Sequence, residues 1–414
     1  MSSGKTRFIA ALFLFVVLCV TSGCAGPAAE VERPEKIVSK RIVVYDEETY
    51  RRLADLWEAY YRAFPSEDAY ANWMYAARYA GRESYEDMLE KGLKKYSANP
   101  TLLYLAGILR HGKPENEEGR RYLERAVQLD PSYMDPWFAL AVHHMERKDR
   151  ERMDVALRNL LEGGWIADEV LDYSWNMLAA LEEGAILITN GDNDTYPGWI
   201  LQRILGFRPD VRIVNHSLLS TSWYPSHVIE EGVPRFITAG ELSALRETME
   251  GPYGDTLTVR IIEAAAREDR PVYFSLTLYP SQVIDRYAEK GRMLALSTLV
   301  TPVDIPYGEL LANALDVWMD KYRTGGIDSW KVRFAKPGDA GRMLMLNYAA
   351  NIEKLIGPLS EHAPEWRLAM FEWYRDHCLN VIPQEMADEI GTEWSRLQAI
   401  PEIQEWCRTE GYGR

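Results

Sequence analysis

Apolar positions between residues 46 and 180 recur at intervals of three and four. In "MDPWFALAVHHMERKDRERMDVALRNLLEGG", Trp137, Leu140 and Ala141 share one face of a first helix. Met153, Leu157 and Leu160 share one face of a second, so the segment predicts a packed pair of helices. The pattern changes between 183 and 305. "AILIT", "VRIVN", "PVYFSLTL" and "MLALSTLV" are short aliphatic and β-branched runs with no polar alternation, separated by helical stretches such as "DTLTVRIIEAAARE". Strands apolar at every position are covered on both faces, which predicts a parallel sheet with right-handed helical crossovers. Helical striping returns from 306 to the C-terminal region, in "GELLANALDVWMDKYR" and "DAGRMLMLNYAANIEKLIG". The expected fold class is α/β plus α. Helical repeats occupy residues 46–180, a parallel-sheet, Rossmann-like α/β module residues 181–305, and a helical region residues 306–414.

The first helical region resembles tetratricopeptide repeats. It shows Leu-Asp-Pro closing a hairpin at Pro131 and a small residue, Gly107 or Ala141, at each tight crossing. An earlier, looser copy runs through "ANWMYAARYAGRESYEDMLEKGLKKYSANP". The resemblance implies a surface that binds a protein or peptide of the envelope.

Residues 1–23 read as a signal rather than as fold. Lys5 and Arg7 precede the apolar run from Phe8 to Val20, and Thr21-Ser22-Gly23 leads into Cys24. This arrangement resembles a bacterial lipoprotein signal, which implies cleavage before Cys24 and lipidation of that residue. Ala25 lacks the acidic character of an inner-membrane retention signal, so the expected location is the periplasmic side of the envelope, with the outer membrane favoured. Residues 24–45 then read as lipid site and tether.

The formal net charge of −15 argues against a nucleic-acid partner, because an acidic surface repels phosphate backbones. Of four cysteines, Cys19 leaves with the signal and Cys24 is the lipid site. Cys378 and Cys407 remain; an oxidising compartment permits a disulfide between them, and two buried thiols are the alternative.

Chemistry concentrates in "ILITNGDNDTYP", where a buried strand ends in Asp192, Asn193, Asp194 and Thr195. One reading is structural: Thr195 caps a helix with Pro197 in its first turn, and the acids favour the positive end of its dipole. The other follows from position. In open parallel sheets ligands bind beyond the carboxyl ends of strands. Asp192, Asn193 and Asp194 follow one strand, Asn215 and Ser217 the next, Thr277 ends a third, and Ser297 lies near the end of a fourth. Two carboxylates and an amide oxygen suit Mg²⁺ or Ca²⁺, or the hydroxyls of a glycan. Asp192 and Asp194 are the candidate metal ligands. His143 and His144 are adjacent and point about 100° apart on a helix, so they are expected in a groove or at the surface rather than on a metal. His216 and Ser217, adjacent on a strand, face opposite sides.

The run from Asn190 to Pro225 is similar to the soluble C-terminal region of a family of polytopic bacterial membrane proteins. Those proteins look like protein O-mannosyltransferases, and the region is a domain of unknown function. The shared motif comprises Gly191 to Pro197, Trp199, Gln202, Arg208, Asp210 to Asn215, Ser217 to Leu219, and Trp223-Tyr224. The likeness extends over residues 180–355. Trp199, Trp223 and Tyr224, which lie within that motif, join the candidate ligand-binding residues. Sugar transfer in that family is expected of a membrane-embedded half absent here, so the activity does not carry over. Gly198 stands where the family has a bulkier apolar residue, and is expected to open space beside Trp199.

Two functions follow, and a third reading is purely structural, with the acidic turn locking the repeats to the sheet. The first is an envelope-anchored lipoprotein that binds or scaffolds without catalysis, using its repeats and its α/β module. The second is a metal-dependent or carbohydrate-processing protein centred on Asp192 and Asp194.

Overall fold

The computed structural model describes residues 31–111, 116–249, 253–336, 338–378 and 381. The signal, Cys24 and Cys407 lie outside the described residues; Cys378 is buried. Among the described residues no helix is long and apolar enough to cross a membrane.

The chain divides into two compact units. The first holds the segment up to Ile37 and Glu47–Met88. Helices α1 (Glu47–Ala63) and α2 (Glu67–Tyr79) form its core, with Trp57 fully buried. Ser66 starts α2 by accepting the Ala69 N–H at 3.2 Å. Helix α3 (Tyr85–Lys95) begins in this unit.

The second unit holds Val38–Asp46 and the chain from Leu89 onward. Its helical part comprises α4 (Pro100–Leu109), α5 (Asn116–Leu129), α6 (Asp135–Glu146), α7 (Arg150–Glu162) and α8 (Asp168–Ala179). Helix α4 packs on α5 and α6 on α7. A Cβ on Gly119 would sit 2.7 Å from the Gly107 carbonyl, so the α4/α5 crossing excludes any side chain there. In α6 the buried aromatic is Phe138. Trp137, expected on that face, is half-buried and donates its indole N–H to the Pro131 carbonyl at 3.1 Å.

His143 and His144 are buried, contrary to the expected groove or surface position. His143 Nε2 lies 2.9 Å from His111 Nδ1, and the rings meet edge to face. Burial lowers the pKa of all three imidazoles, and brings His143 down to about 3.

The sheet has the order β2-β1-β3-β5-β4. It contains β1 (Ile186–Thr189), β2 (Arg212–Asn215), β3 (Val272–Ser275), β4 (Arg292–Met293) and β5 (Ser297–Leu299). All four positions of β1 and of β3 are buried, as continuous apolar runs require. Strands β2, β1 and β3 are parallel, with Ile186 opposite Arg212 and Val272. The expectation of a wholly parallel, Rossmann-like sheet is corrected here: β5 runs antiparallel to β3, and β4 antiparallel to β5. "MLALSTLV" is a tight hairpin rather than one strand. The Leu294 N–H closes on the Ser297 carbonyl at 3.2 Å, and so short a connection leaves only an antiparallel return. The result is a mostly helical protein with a small mixed sheet.

Between the strands lie α9 (Asp192–Arg203), α10 (Tyr224–Glu230), α11 (Ala239–Thr248), α12 (Gly254–Ala266) and α13 (Gln282–Lys290). Beyond them are α14 (Tyr307–Lys321), the single turn α15 (Trp330–Arg333), α16 (Ala340–His362) and α17 (Arg367–Trp373). Asn176 of α8 joins this last group to the rest. Its amide donates to Tyr348 Oη at 2.7 Å and to the Arg323 carbonyl at 2.9 Å, and accepts the Arg323 N–H at 2.7 Å.

A pH prediction follows from the histidines. Their folded pKa values are depressed, so the unfolded chain binds more protons below its imidazole pKa of about 6.5. Stability is full above that pH and is lost as pH falls toward 3. Each proton in question contributes a slope of about 1.4 kcal/mol per pH unit. Denaturant melts from pH 7 to 5 should show this loss, and His143→Gln should flatten it. An unchanged slope in the variant would contradict the assignment.

Candidate functional site

Two places bring the expected residues together. The first is the polar end of the parallel strands. Asp194 Oδ2 accepts the Asn190 N–H at 2.7 Å, Oδ1 accepts the Gly191 N–H at 2.9 Å, and Oδ2 also accepts the Thr277 hydroxyl. That hydroxyl is bridged in turn by Ser275 Oγ, 2.6 Å away, at the end of β3. Thr189 and Thr195 share a hydroxyl contact of 2.7 Å. Asn215 donates its amide to Thr195 Oγ1 at 3.0 Å, and its Oδ1 accepts the Leu218 N–H at 2.9 Å. Ser217 Oγ donates to the Asn190 carbonyl at 2.9 Å. Ser297 is buried opposite Ser275, at the same end of the sheet, although β5 arrives there as a strand start.

The predicted convergence of Asp194, Thr195, Asn215 and Thr277 therefore exists, but it is closed. Asp194 is 2% exposed, Thr195 fully buried and Asn215 4% exposed. Burial raises the Asp194 pKa, against the Thr277 hydroxyl and the two backbone N–H donors, which lower it. Those donors also move the helix start. Asp194 is the third residue of α9, so Thr195 and Pro197 lie inside the helix and not at its cap and first turn. A carboxylate that gathers the N–H groups of the preceding turn satisfies donors left open at any helix N-terminus. Asn193 is half-buried at the second helical position.

Asp192 faces other partners. Its Oδ2 lies 2.8 Å from Arg41 Nε, and Arg41 also reaches Asp135 Oδ1 at 2.9 Å and Tyr104 Oη at 3.3 Å. The guanidinium stacks 4.4 Å over the Phe138 ring. Burial opposes the charge on Arg41, but Asp192 and then Tyr104 and Asp135 outweigh it and raise the pKa. Arg41 thus pins Val38–Asp46, a strap within the segment read as tether, across α4, α6 and the start of α9.

The divalent-cation expectation at Asp192 and Asp194 is overturned. Among the described residues no three acid, histidine or cysteine side chains are placed to hold a metal. The two carboxylates turn to different partners, one to Arg41 and the other to its own turn. His216 and Ser217 form no base–nucleophile pair either: His216 Nε2 contacts Asp255 Oδ1 at 2.8 Å, while Ser217 bonds Asn190.

The second place is a cavity of about 490 Å³ bordered by α6, α7, α9, β2 and α10. Its apolar lining includes Trp199, Tyr224, Met145 and Ile213. Tyr224 joins the two places, since its Oη accepts the Asn215 N–H at 2.9 Å. Trp223 is half-buried and stands edge-on to Tyr224 at 5.3 Å. Gly198 opens no space: a Cβ there would lie 2.6 Å from Ile213 Cδ1, which fills the gap. Two ion pairs cross the mouth, Lys148–Glu230 at 2.7 Å and Arg150–Glu231 at 2.5 Å, and Arg203 holds Asp154 at 2.6 Å. Arg212 differs. Its Nη1 donates to the Pro209 carbonyl at 2.7 Å, while its buried Nε has no partner. Sequence reading placed Arg212 in the shared motif but did not name it as a site residue; the signal was a cation at the head of a strand with an apolar centre, "RIVN".

Other motif residues are internal struts. Arg208, with φ of 50°, donates to the carbonyls of Leu178, Leu181 and Glu182 near the end of α8. Its hydrogen bonds to Asp210 hold that carboxyl down at about 2. Gln202 donates to the carbonyls of Arg208 and Val211.

Residues 170–231 match the family model described as TMEM260-associated domain 2. The match runs from within α8 to the end of α10 and covers a shorter stretch than the 180–355 expected from motif resemblance. It is a broad relationship to a domain of unknown function. No curated protein matches the chain.

Removing each acid separates their roles. Asp194→Ala strands two backbone donors and a hydroxyl, and should cost about 3 kcal/mol or more. Asp192→Ala removes a 42%-exposed partner and leaves Arg41 on Asp135, so it should cost about 1 kcal/mol or less. Urea denaturation distinguishes them. Equal losses would mean that the turn is not the internal clamp described.

Proposed function

We propose that the protein is an envelope-anchored, non-catalytic binding or scaffold lipoprotein, and that its ligand enters the cavity bordered by α6, α7, α9, β2 and α10. Arg212, which lines that cavity and keeps a buried Nε without a hydrogen-bond partner, carries this reading. A volume of about 490 Å³ falls in the range of small-molecule sites. A buried guanidinium nitrogen without an acceptor favours an anionic or strongly accepting group, and the aromatic and methionine walls favour an apolar body attached to it. The ligand class is a small organic anion, or a peptide end or side chain that presents a carboxylate.

The helical hairpins supply a surface for an envelope protein or peptide, in keeping with the tetratricopeptide resemblance. The match of residues 170–231 to the TMEM260-associated domain is compatible with a part in envelope assemblies, with a glycan as a further ligand class. The enzyme reading centred on Asp192 and Asp194 loses ground because both carboxylates are engaged within the protein.

Calorimetric titration with 2-naphthoate and 1-naphthyl phosphate tests the proposal. Binding should weaken at least tenfold in Arg212→Gln and persist in Asp192→Asn. No binding of either probe, or equal affinity in Arg212→Gln, would sink the ligand class and the site.

A further inference from the structure

A different face carries an independent inference. Trp330 and Phe334 are 70% and 74% exposed, while Val332 between them is buried and anchors the turn. The Phe334 N–H closes on the Trp330 carbonyl at 3.0 Å, so the two rings stand one helical turn apart on the same side. Met343, half-exposed, follows on the first turn of α16, and Arg342 beside it reaches back to the Ala335 carbonyl at 3.0 Å.

Basic residues flank these side chains in sequence, and Lys331 also interacts with the buried acid Glu169. From Trp330 to Arg342 the chain holds Lys331, Arg333, Lys336 and Arg342 against one acid, Asp339. Asp339 is occupied in capping α16 through the Arg342 N–H at 2.9 Å. A cationic stretch in a chain of net charge −15 is a local reversal. The strap adjoins it: Val43 bridges Asp339, Ala340 N–H donates to the Ile42 carbonyl, and Val44 N–H donates to the Gly338 carbonyl, both at 2.9 Å. Ile42 and Val44 are each 39% exposed.

We propose that this aromatic and basic face docks on an anionic lipid bilayer, with Trp330 and Phe334 entering the headgroup region and Lys331 and Arg333 meeting lipid phosphates. Interfacial burial suits the amphipathic indole ring, and cations near an anionic surface add attraction that salt screens. An acidic protein is the competing occupant. The inference is independent of the cavity and of Arg212.

The test uses the chain without its signal sequence and carrying Cys24→Ser, so that only the folded face can bind. Sedimentation with vesicles of phosphatidylglycerol and phosphatidylcholine should capture it at low salt, and pure phosphatidylcholine vesicles should capture much less. Lys331→Gln with Arg333→Gln should weaken capture about 25-fold, at about fivefold per cation. Trp330→Ser with Phe334→Ser should weaken it at least tenfold. All four positions are exposed, so melting temperatures should stay unchanged; should one pair destabilise, the other remains as the test. Brominated acyl chains should quench part of the tryptophan emission, and Trp330→Phe should abolish that part. Absence of capture by anionic vesicles, capture indifferent to both pairs, or capture without Trp330 quenching overturns the proposal. The last outcome would assign the rings to an acidic protein instead. Arg212→Gln should bind vesicles normally, so failure here is distinct from failure of the cavity reading.

Discussion

The carboxylate of Asp194 is the constraint on which the α/β part depends. A strand buried along its length must hand the backbone donors at its end to something, and at the end of β1 these donors are only partly exposed. Asp194 takes the N–H groups of Asn190 and Gly191 and the hydroxyl of Thr277. Through the first two it starts α9 directly after β1, and through the third it fixes the end of β3 beside that turn. Thr195 and Asn215 extend the same network to β2. Three parallel strand ends are thus held by side chains of one helical turn. Burying a carboxylate is costly in itself, and its raised pKa records that cost. The arrangement is stable because every donor it gathers would otherwise be stranded.

Arg41 extends this logic to the helical hairpins of the second unit. Its guanidinium meets Asp192 at the start of α9, Asp135 at the start of α6 and the Tyr104 hydroxyl in α4. Asp135 is fully buried and also accepts the Ser39 hydroxyl at 2.6 Å. A buried acid needs such a cation, since leaving it unpaired is far more expensive than burying the pair. A short strap of irregular chain thereby becomes part of the core. The "GDND" turn has two faces of work, with Asp194 turned inward to the sheet and Asp192 outward to the strap.

Much of this was legible in the residues. The apolar runs located β1, β2 and β3, and periodicity located the helical hairpins, because burial writes a regular pattern. The gathering of Asp194, Thr195, Asn215 and Thr277 at one end of the sheet was also legible, since strand direction and length determine it. Three things were not. The antiparallel return of β5 depends on a hairpin between Leu294 and Ser297 with no Gly or Asn signal. The closure of the polar site depends on side-chain geometry, and sequence cannot tell a carboxylate facing solvent from one facing its own backbone. Arg41 and Arg212 act over long sequence separations, and nothing beside Arg41 announces Asp135 or Asp192. The buried histidines were missed for the same reason: His111 and His143 meet only when α4 and α6 come together.

The contrast between the turn and the cavity shows where recognition can occur. At the turn, polar groups satisfy one another, and a ligand would have to break those bonds to form its own. At the cavity mouth, Lys148–Glu230 and Arg150–Glu231 are largely exposed pairs. Such pairs contribute little, so parting them to admit a ligand costs about 1 kcal/mol or less each. Arg212, also in the lining, keeps a buried Nε without a hydrogen-bond partner. The turn has its polar demands met from within, whereas the cavity lining keeps one buried donor unmet beside exposed ion pairs.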